Sequence, residues 1–334
     1  MVTATFSELT QVGQTRRLRP LAKQALGAYG LQWTGLRLLS NEWNCTFRVD
    51  TSTGPRALRI MRRDTPTART KVCSETEFVA ALAAATDVAP PRVIPNRAGE
   101  LFTTASADGV PQPRACVLFE WLRGSPLDRE VTPRRWAALG ELTAKMHRFA
   151  RSFEPSPGFD AAVYRSVLAY GDPLALFESD RVDLLGLDGL LREAYEVTNE
   201  RIAALMREQQ HIVIHGDLHT LNVKVDRDVL TPFDFEDLLW GVPILDVATA
   251  LSYVRDRSDY LELAGAFRVG YERQLPWMET RPGEVDQLIV ARGIDMLNYV
   301  ALDPGLDMGD MEAYVRLREV PALVAVGARE PIVL

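Results

Sequence analysis

The chain has 334 residues, 47% of them hydrophobic and 25% charged, with 38 Lys and Arg against 45 Asp and Glu. Such a chain can bury a large core, divided over two lobes or domains, and the balance excludes disordered and fibrous classes. No apolar segment resembles a signal peptide, and none approaches the roughly 20 residues that span a bilayer, so a cytoplasmic location without membrane attachment is expected.

Cys45, Cys73 and Cys116 are widely spaced and odd in number, which suggests reduced thiols rather than a disulfide framework. Residues 1–120 carry 15 Lys and Arg against 10 Asp and Glu, and the remainder carries 23 against 35. There is no basic run and no interleaving of aromatic with basic residues, so no nucleic-acid partner is expected.

In chain order, the first part shows short β-like runs: GLRLLS (35–40), CTFRVD (45–50) and RALRIM (56–61). The connection TSTGP between the second and third reads as a hairpin. One helix is expected from about Thr70 to Thr86, with Phe78 and Leu82 four apart on its inner face. PPRVIPN and ACVLFEWL (115–122) suggest further strands.

After residue 122 the pattern becomes mainly helical. Thr132 followed by Pro133 supplies a cap and a first helical position, and Trp136, Leu139, Leu142, Met146 and Phe149 form one apolar stripe. A second long helix carries Leu191, Tyr195, Ile202 and Leu205 and ends near Gln210. Helical patterns return from Ile244, broken at Pro276, Pro282 and Pro304. Between them lies a β-rich island, HIVIHGD…NVKVDRDVLTPFDFED. The expected domains are 1–122 and 123–334.

The island carries the chemistry. Asp217 and Asn222 stand five apart across a polar loop, and Asp234 follows twelve residues after Asn222. Two strands and a turn can bring the three together. Two carboxylates and an amide oxygen are hard ligands that suit Mg²⁺, which shares phosphate oxygens. The spacing is also that of the kinase catalytic loop, H-x-D-x-x-x-x-N, followed by a D-F-x turn. A competing reading takes His215, Asp217 and His219 as zinc ligands. Only His147 and His211 remain as further histidines, neither with paired spacing, and that reading leaves Asn222 and Asp234 unexplained.

VIHGDLHTLNV…PFDFEDLLWGVPILDVATAL resembles the aminoglycoside phosphotransferase and choline kinase superfamily, whose relatives include type II homoserine kinase-like proteins and bacterial stress-response kinases. The resemblance implies an α+β, bilobal protein-kinase-like fold, with a small antiparallel-sheet lobe bearing one helix and a larger helical lobe. It implies an ATP-dependent phosphotransferase using Mg²⁺, with Asp217 as the base and Asn222 and Asp234 as metal ligands. Arg59 stands where relatives place a cation for the α and β phosphates, a planar fork in place of a point charge.

The ion-pair partner of Arg59 is Glu75 or Glu77; Glu75 matches the spacing of relatives better. SNEWNCTF stands in for a glycine-rich loop, with Ser40, Asn41 and Asn44 facing phosphates, and LFEWLRG resembles the hinge, where backbone from Glu120 to Leu122 meets adenine and Gly124 turns the chain. The resemblance implies that Asp246 braces the catalytic loop, with helix capping as the alternative; His215 is read as a brace of the same loop, and His219 is placed near the phosphates or the acidic turn.

Only eight residues separate Asp234 from Pro243, and Glu236 replaces the glycine of D-F-G. A peptide platform is therefore missing, which favours a small-molecule hydroxyl acceptor: an aminoglycoside, amino alcohol, homoserine-like compound or sugar. The alternatives are a Ser/Thr protein kinase of the stress-response type and a nucleotide-binding pseudokinase. Tyr253, Asp256, Asp295, Tyr299 and Asp303 are candidate acceptor walls, the acids among them suiting an amine.

Overall fold

The computed structural model describes residues 5–41, 44–62, 66–180 and 188–302. It divides into two compact units. One is Met1–Arg123 with Glu154–Asp160, and the other is Gly124–Phe153 with the chain from Ala161 onward. The segment Glu154–Asp160, which a single linear boundary assigns to the second part, packs with the first.

The first unit contains α1 (Gln11–Gly27), β1 (Trp33–Asn41), β2 (Cys45–Thr51), β3 (Gly54–Ile60), α2 (Pro66–Ala85), β4 (Thr103–Ala105) and β5 (Arg114–Glu120). Its sheet runs β1-β2-β3-β5-β4 with every pairing antiparallel. Alternation along β5 sends Cys116 and Leu118 into a core with Leu21, Leu26, Phe47 and Leu58. Ala115 and Val117 join a second cluster with Met61 and Val72 of the α2 side.

Two helices stand where one was expected. α1 opens on Thr10, whose hydroxyl accepts from the Gly13 N–H, and buries Leu18, Leu21, Ala22, Ala25 and Leu26. Those positions follow a helical period, but Pro20 and the cations at 16, 17, 19 and 23 interrupt the apolar reading.

The second unit contains β6 (Ser125–Pro126), α3 (Pro133–Ala150), β7 (Ala162–Val163), α4 (Asp188–Glu208), β8 (Ile212–Ile214), β9 (Val223–Asp226) and β10 (Val229–Pro232). It continues with β11 (Leu239–Gly241), α5 (Pro243–Ser252), α6 (Tyr260–Tyr271) and α7 (Glu284–Leu302). Its strands form two small sheets, β10-β9-β6 and β7-β11-β8.

Thr132 caps α3 by accepting from the Arg135 N–H, and Trp136, Leu139, Leu142 and Met146 are buried. α3 and α6 approach closely because both present glycine. A Cβ on Gly140 would lie 2.0 Å from the Phe267 carbonyl oxygen, and one on Gly270 would lie 1.8 Å from that of Ala137. Among the described residues no helix is long and apolar enough to cross a membrane.

Candidate active site

β8 delivers the chain into the loop that holds Asp217. The turn depends on Gly216, with φ of 82°, where a Cβ would stand 2.1 Å from the Asp237 carbonyl oxygen. Asp246, in the first turn of α5, accepts the backbone N–H of His215 and of Gly216, each at 2.9 Å. It also accepts from His147 Nε2 on α3 at 3.1 Å, while His147 Nδ1 takes the Tyr271 hydroxyl at 2.9 Å. Burial pushes the Asp246 carboxyl up, but the hydrogen bond from His147 and the backbone donors outweigh it, and the group is held below the usual carboxylate range. A buried anion on α5 thus fixes the loop backbone.

The Asp217 side chain is held from three directions. Asn222 Nδ2 donates to its Oδ2 at 2.9 Å and to its backbone carbonyl at 2.9 Å. His219 Nε2 meets Oδ2 at 3.1 Å, and Arg292 Nη2 on α7 donates to Oδ1 at 2.7 Å.

The tautomer of His219 follows from its other nitrogen. Nδ1 accepts the Leu221 N–H at 3.2 Å, so the proton sits on Nε2 and is donated to Asp217. The 3.1 Å approach of Asn222 Nδ2 to His219 Nε2 is then a contact between two donors rather than a hydrogen bond. Tyr253 lies flat on the imidazole, with centroids 4.0 Å apart and planes 6° apart. Burial pushes Asp217 up; the His219 bond and the charge of Arg292 outweigh it and hold the carboxyl ionised below its usual range.

Asn222 continues into β9, and its carbonyl accepts the Phe233 N–H at 2.9 Å, so Asp234 follows directly beside it at the end of the β9–β10 hairpin. Asp234 adopts a left-handed conformation, φ 66°, ahead of a short 3-10 turn over Phe235–Asp237. His215 ties the loop to this turn by donating from Nε2 to the Phe233 carbonyl at 3.2 Å.

The donor set fits a hard divalent cation. Both amide hydrogens of Asn222 are turned onto Asp217, which leaves its amide oxygen, a hard donor, unspent on the base, and Asp234 is a second oxygen donor close by along the hairpin. Zinc does not fit. Both ring nitrogens of His215 and of His219 are occupied by hydrogen bonds, and among the described residues no group of three His, Cys, Asp or Glu is arranged to hold a metal.

In the first unit, Arg59 on β3 and Glu75 on α2 form a two-pronged ion pair: Nη1 meets Oε1 at 3.2 Å, and Nη2 meets Oε2. Both side chains are buried, and the guanidinium lies over the Phe119 ring at 4.9 Å. Glu77 does something else. It accepts from the Ser156 N–H and hydroxyl, and Ser74 Oγ accepts the Asp160 N–H at 2.8 Å. Ser74 and Glu77, which flank Glu75 on α2, are therefore both tied to the returning segment 154–160.

Ser40 is exposed on β1, paired with Thr46 of β2. Asn44 is buried, and its Oδ1 accepts the Arg62 N–H at 3.0 Å, bracing the chain just after β3. Glu120 and Leu122 line a recess of about 300 Å³ with Thr86, Val88, Pro91 and Arg92. The Glu120 N–H donates to the Arg92 carbonyl at 2.9 Å. Gly124 has φ of 91°, and a Cβ there would meet the Val225 carbonyl oxygen at 2.1 Å.

Of the candidate acceptor walls, Tyr253 stacks on His219, and Asp295 accepts from Arg292 Nη1 at 3.1 Å. Asp295 is thus a partner of a cation and not a carboxylate awaiting an amine. Asp256 and Tyr299 lie beyond α5 and on α7, and Asp303 is outside the described residues.

The sequence reading missed Arg292, His147 and Tyr271. A signal existed for the first: Arg292 and Asp295 are three apart inside the otherwise apolar LIVARGIDML. His147 likewise sits beside Met146 on the buried face of α3.

The model of the phosphotransferase enzyme family matches residues 35–282. Among solved structures, the chain is similar to a microcompartment-associated aminopropanol kinase, with 23% identity over 93% of this chain and 98% of that one and a TM-score of 0.78. It is similar to the amicoumacin kinase hAmiN in complex with AMP-PNP, Ca²⁺ and Ami, with 15% identity over 97% and 96% and a TM-score of 0.72. It is also similar to an ethanolamine kinase of Plasmodium vivax, with 13% identity over 86% and 81% and a TM-score of 0.56. At these identities the likeness is one of fold: an antiparallel-sheet first part followed by a helical one. No curated protein matches the chain.

Proposed function

Because the chain belongs to the phosphotransferase enzyme family, we propose that it transfers the γ-phosphoryl group of ATP to a hydroxyl of a small molecule, with Asp217 receiving the hydroxyl proton. The observation that carries this reading is the ionised Asp217 carboxylate, gripped by Asn222, His219 and Arg292 on a loop whose backbone Asp246 fixes. Phosphoryl transfer asks for positioning and charge neutralisation more than for covalent help. The acceptor oxygen bonds to the γ-phosphorus, the bond to the β-phosphate bridging oxygen breaks, ADP leaves, and the hydroxyl proton passes to Asp217.

Arg59, oriented by Glu75, is assigned to the nucleotide phosphates. Asn222 through its amide oxygen and Asp234 through its carboxylate would hold Mg²⁺. That ion, when bound, supplies neutralisation of the phosphate charge. Ser40 and the backbone of Leu122 are assigned to nucleotide contacts on sequence grounds alone.

A small acceptor is favoured by the route after Asp234. The chain passes through the turn at Phe235–Asp237 and the three residues of β11 straight into α5, leaving no length for a peptide platform. Among small acceptors we favour amino alcohols and related amine-bearing hydroxyl compounds, in line with the kinase of aminopropanol that the fold resembles.

The test is a phosphate-transfer screen with Mg-ATP across amino alcohols, aminoglycosides, homoserine, sugars and generic protein substrates. Stoichiometric ADP and phosphorylated product from one small hydroxyl class supports the reading. Transfer to protein alone contradicts it.

A further inference from the structure

Arg292 stands on the buried face of α7, between Ala291 and Ile294, and its side chain is 14% exposed. Its two terminal nitrogens serve different carboxylates: Nη2 donates to Asp217 Oδ1 at 2.7 Å and Nη1 to Asp295 Oδ2 at 3.1 Å. A planar fork held at both prongs has a fixed orientation, which a lysine ammonium would not reproduce.

A carboxylate offers about four acceptor positions. On Asp217, Oδ2 takes Asn222 Nδ2 and His219 Nε2, and Oδ1 takes Arg292. Among the described residues one position remains, and it is on Oδ1 beside the guanidinium. The three donors come from the loop itself and from α7, so the carboxylate cannot rotate without breaking at least one of them.

We infer that Arg292 is a positioning residue for phosphoryl transfer: it orients the Asp217 carboxylate so that the single remaining lone pair of Oδ1 receives the acceptor hydroxyl, and Asp295 holds Arg292 in place. The inference rests on the proposed role of Asp217. The arrangement costs basicity, because a cation on Oδ1 stabilises the ionised form. A loose transition state tolerates a weak base but not a misdirected one, and misplacement of about 1 Å costs on the order of 100-fold in rate.

The test uses the full chain with Mg-ATP, the acceptor that turns over fastest in the screen, and water as a second acceptor, read as ATP hydrolysis. Arg292→Met is expected to lower kcat roughly 100-fold with the KM for ATP within about twofold of wild type. Arg292→Lys should recover part of that loss, and Asp295→Asn should lose less than Arg292→Met. A folded Arg292→Met enzyme with wild-type kcat overturns the inference. So does an Arg292→Lys enzyme in which melting temperature, kcat and the KM for ATP all fail together, since that is the signature of a scaffold residue. The parent reading fails separately: turnover that survives Asp217→Asn removes both claims, whereas loss in Asp217→Asn beside an unchanged Arg292→Met removes only this one.

Discussion

Asp246 on α5 places one carboxylate oxygen 2.9 Å from the backbone N–H of His215 and the other 2.9 Å from that of Gly216. It does so from the buried first turn of α5, where it is 1% exposed, and His147 completes its hydrogen bonding from α3. The loop bearing the proposed base is therefore held by its main chain, independently of any ligand. Asp246→Ala would leave two backbone donors and an imidazole unsatisfied, at about 1–3 kcal/mol each. The expected result is a large fall in the chemical denaturation midpoint, together with loss of turnover. Full activity in a stable Asp246→Ala protein would contradict this account of the loop.

Arg59 and Glu75 make a buried pair in the first unit. Removing one partner of a buried pair costs about 3–5 kcal/mol because the other charge is stranded. Glu75→Ala should therefore destabilise the protein strongly and weaken the Mg-ATP-induced rise in melting temperature. Glu77→Ala, which breaks only the tie to the exposed Ser156, should cost about 1 kcal/mol and leave nucleotide binding near wild type. Equal effects of the two substitutions would mean that the pair has no special part in binding nucleotide.

The pH dependence of stability should carry a mark of Asp295. Burial pushes its carboxyl up to about 6, against the pull of Arg292, with Asp172 adding to the rise. Between the ordinary aspartate value and that raised one, the folded protein holds a proton that the unfolded chain has lost. The stability this group contributes is thus fully present at the acid end and is lost as pH rises through about 6. Chemical denaturation of wild type and Asp295→Asn from pH 4 to 7 tests this: the difference between the two curves should slope across that window. A constant difference would refute the assignment. At neutral pH Asp295 is ionised and remains the partner of Arg292.

The crossing of α3 and α6 depends on glycine at the contact. A methyl group at Gly270 would meet the Ala137 carbonyl oxygen at 1.8 Å, and that atom belongs to a helix backbone that cannot swing aside. Gly270→Ala should destabilise by about 1–3 kcal/mol despite the better helix propensity of alanine, measured by urea unfolding. A neutral or stabilising outcome would show that the helices can separate at little cost.

Much of the site could be read from the sequence because its parts lie within a few residues of one another. The five-residue gap from Asp217 to Asn222, and the strand pairing that carries Phe233 to Asn222, are local consequences of a strand–loop–strand pattern. α1 escaped because its cations and Pro20 mask a stripe of buried Leu and Ala that only the sheet of the first unit makes sense of. Arg292 lies 75 residues from Asp217, and no local spacing rule spans that distance. It is detectable only as a lone cation in an apolar helix, and its partner appears once α7 is folded beside the loop. The acids read as an amine-binding wall illustrate the same limit: whether Asp295 faces a ligand or a cation of its own chain depends on that packing.

The most direct measurement of the central claim is single-turnover phosphate transfer by Asp217→Asn with Mg-ATP and the best acceptor, run beside a nucleotide-binding titration. A positioned base contributes about 10²–10⁴ in rate. The account predicts a fall of that size with the affinity for Mg-ATP nearly unchanged, because the residues assigned to the nucleotide are untouched. Transfer at the wild-type rate in Asp217→Asn would contradict it.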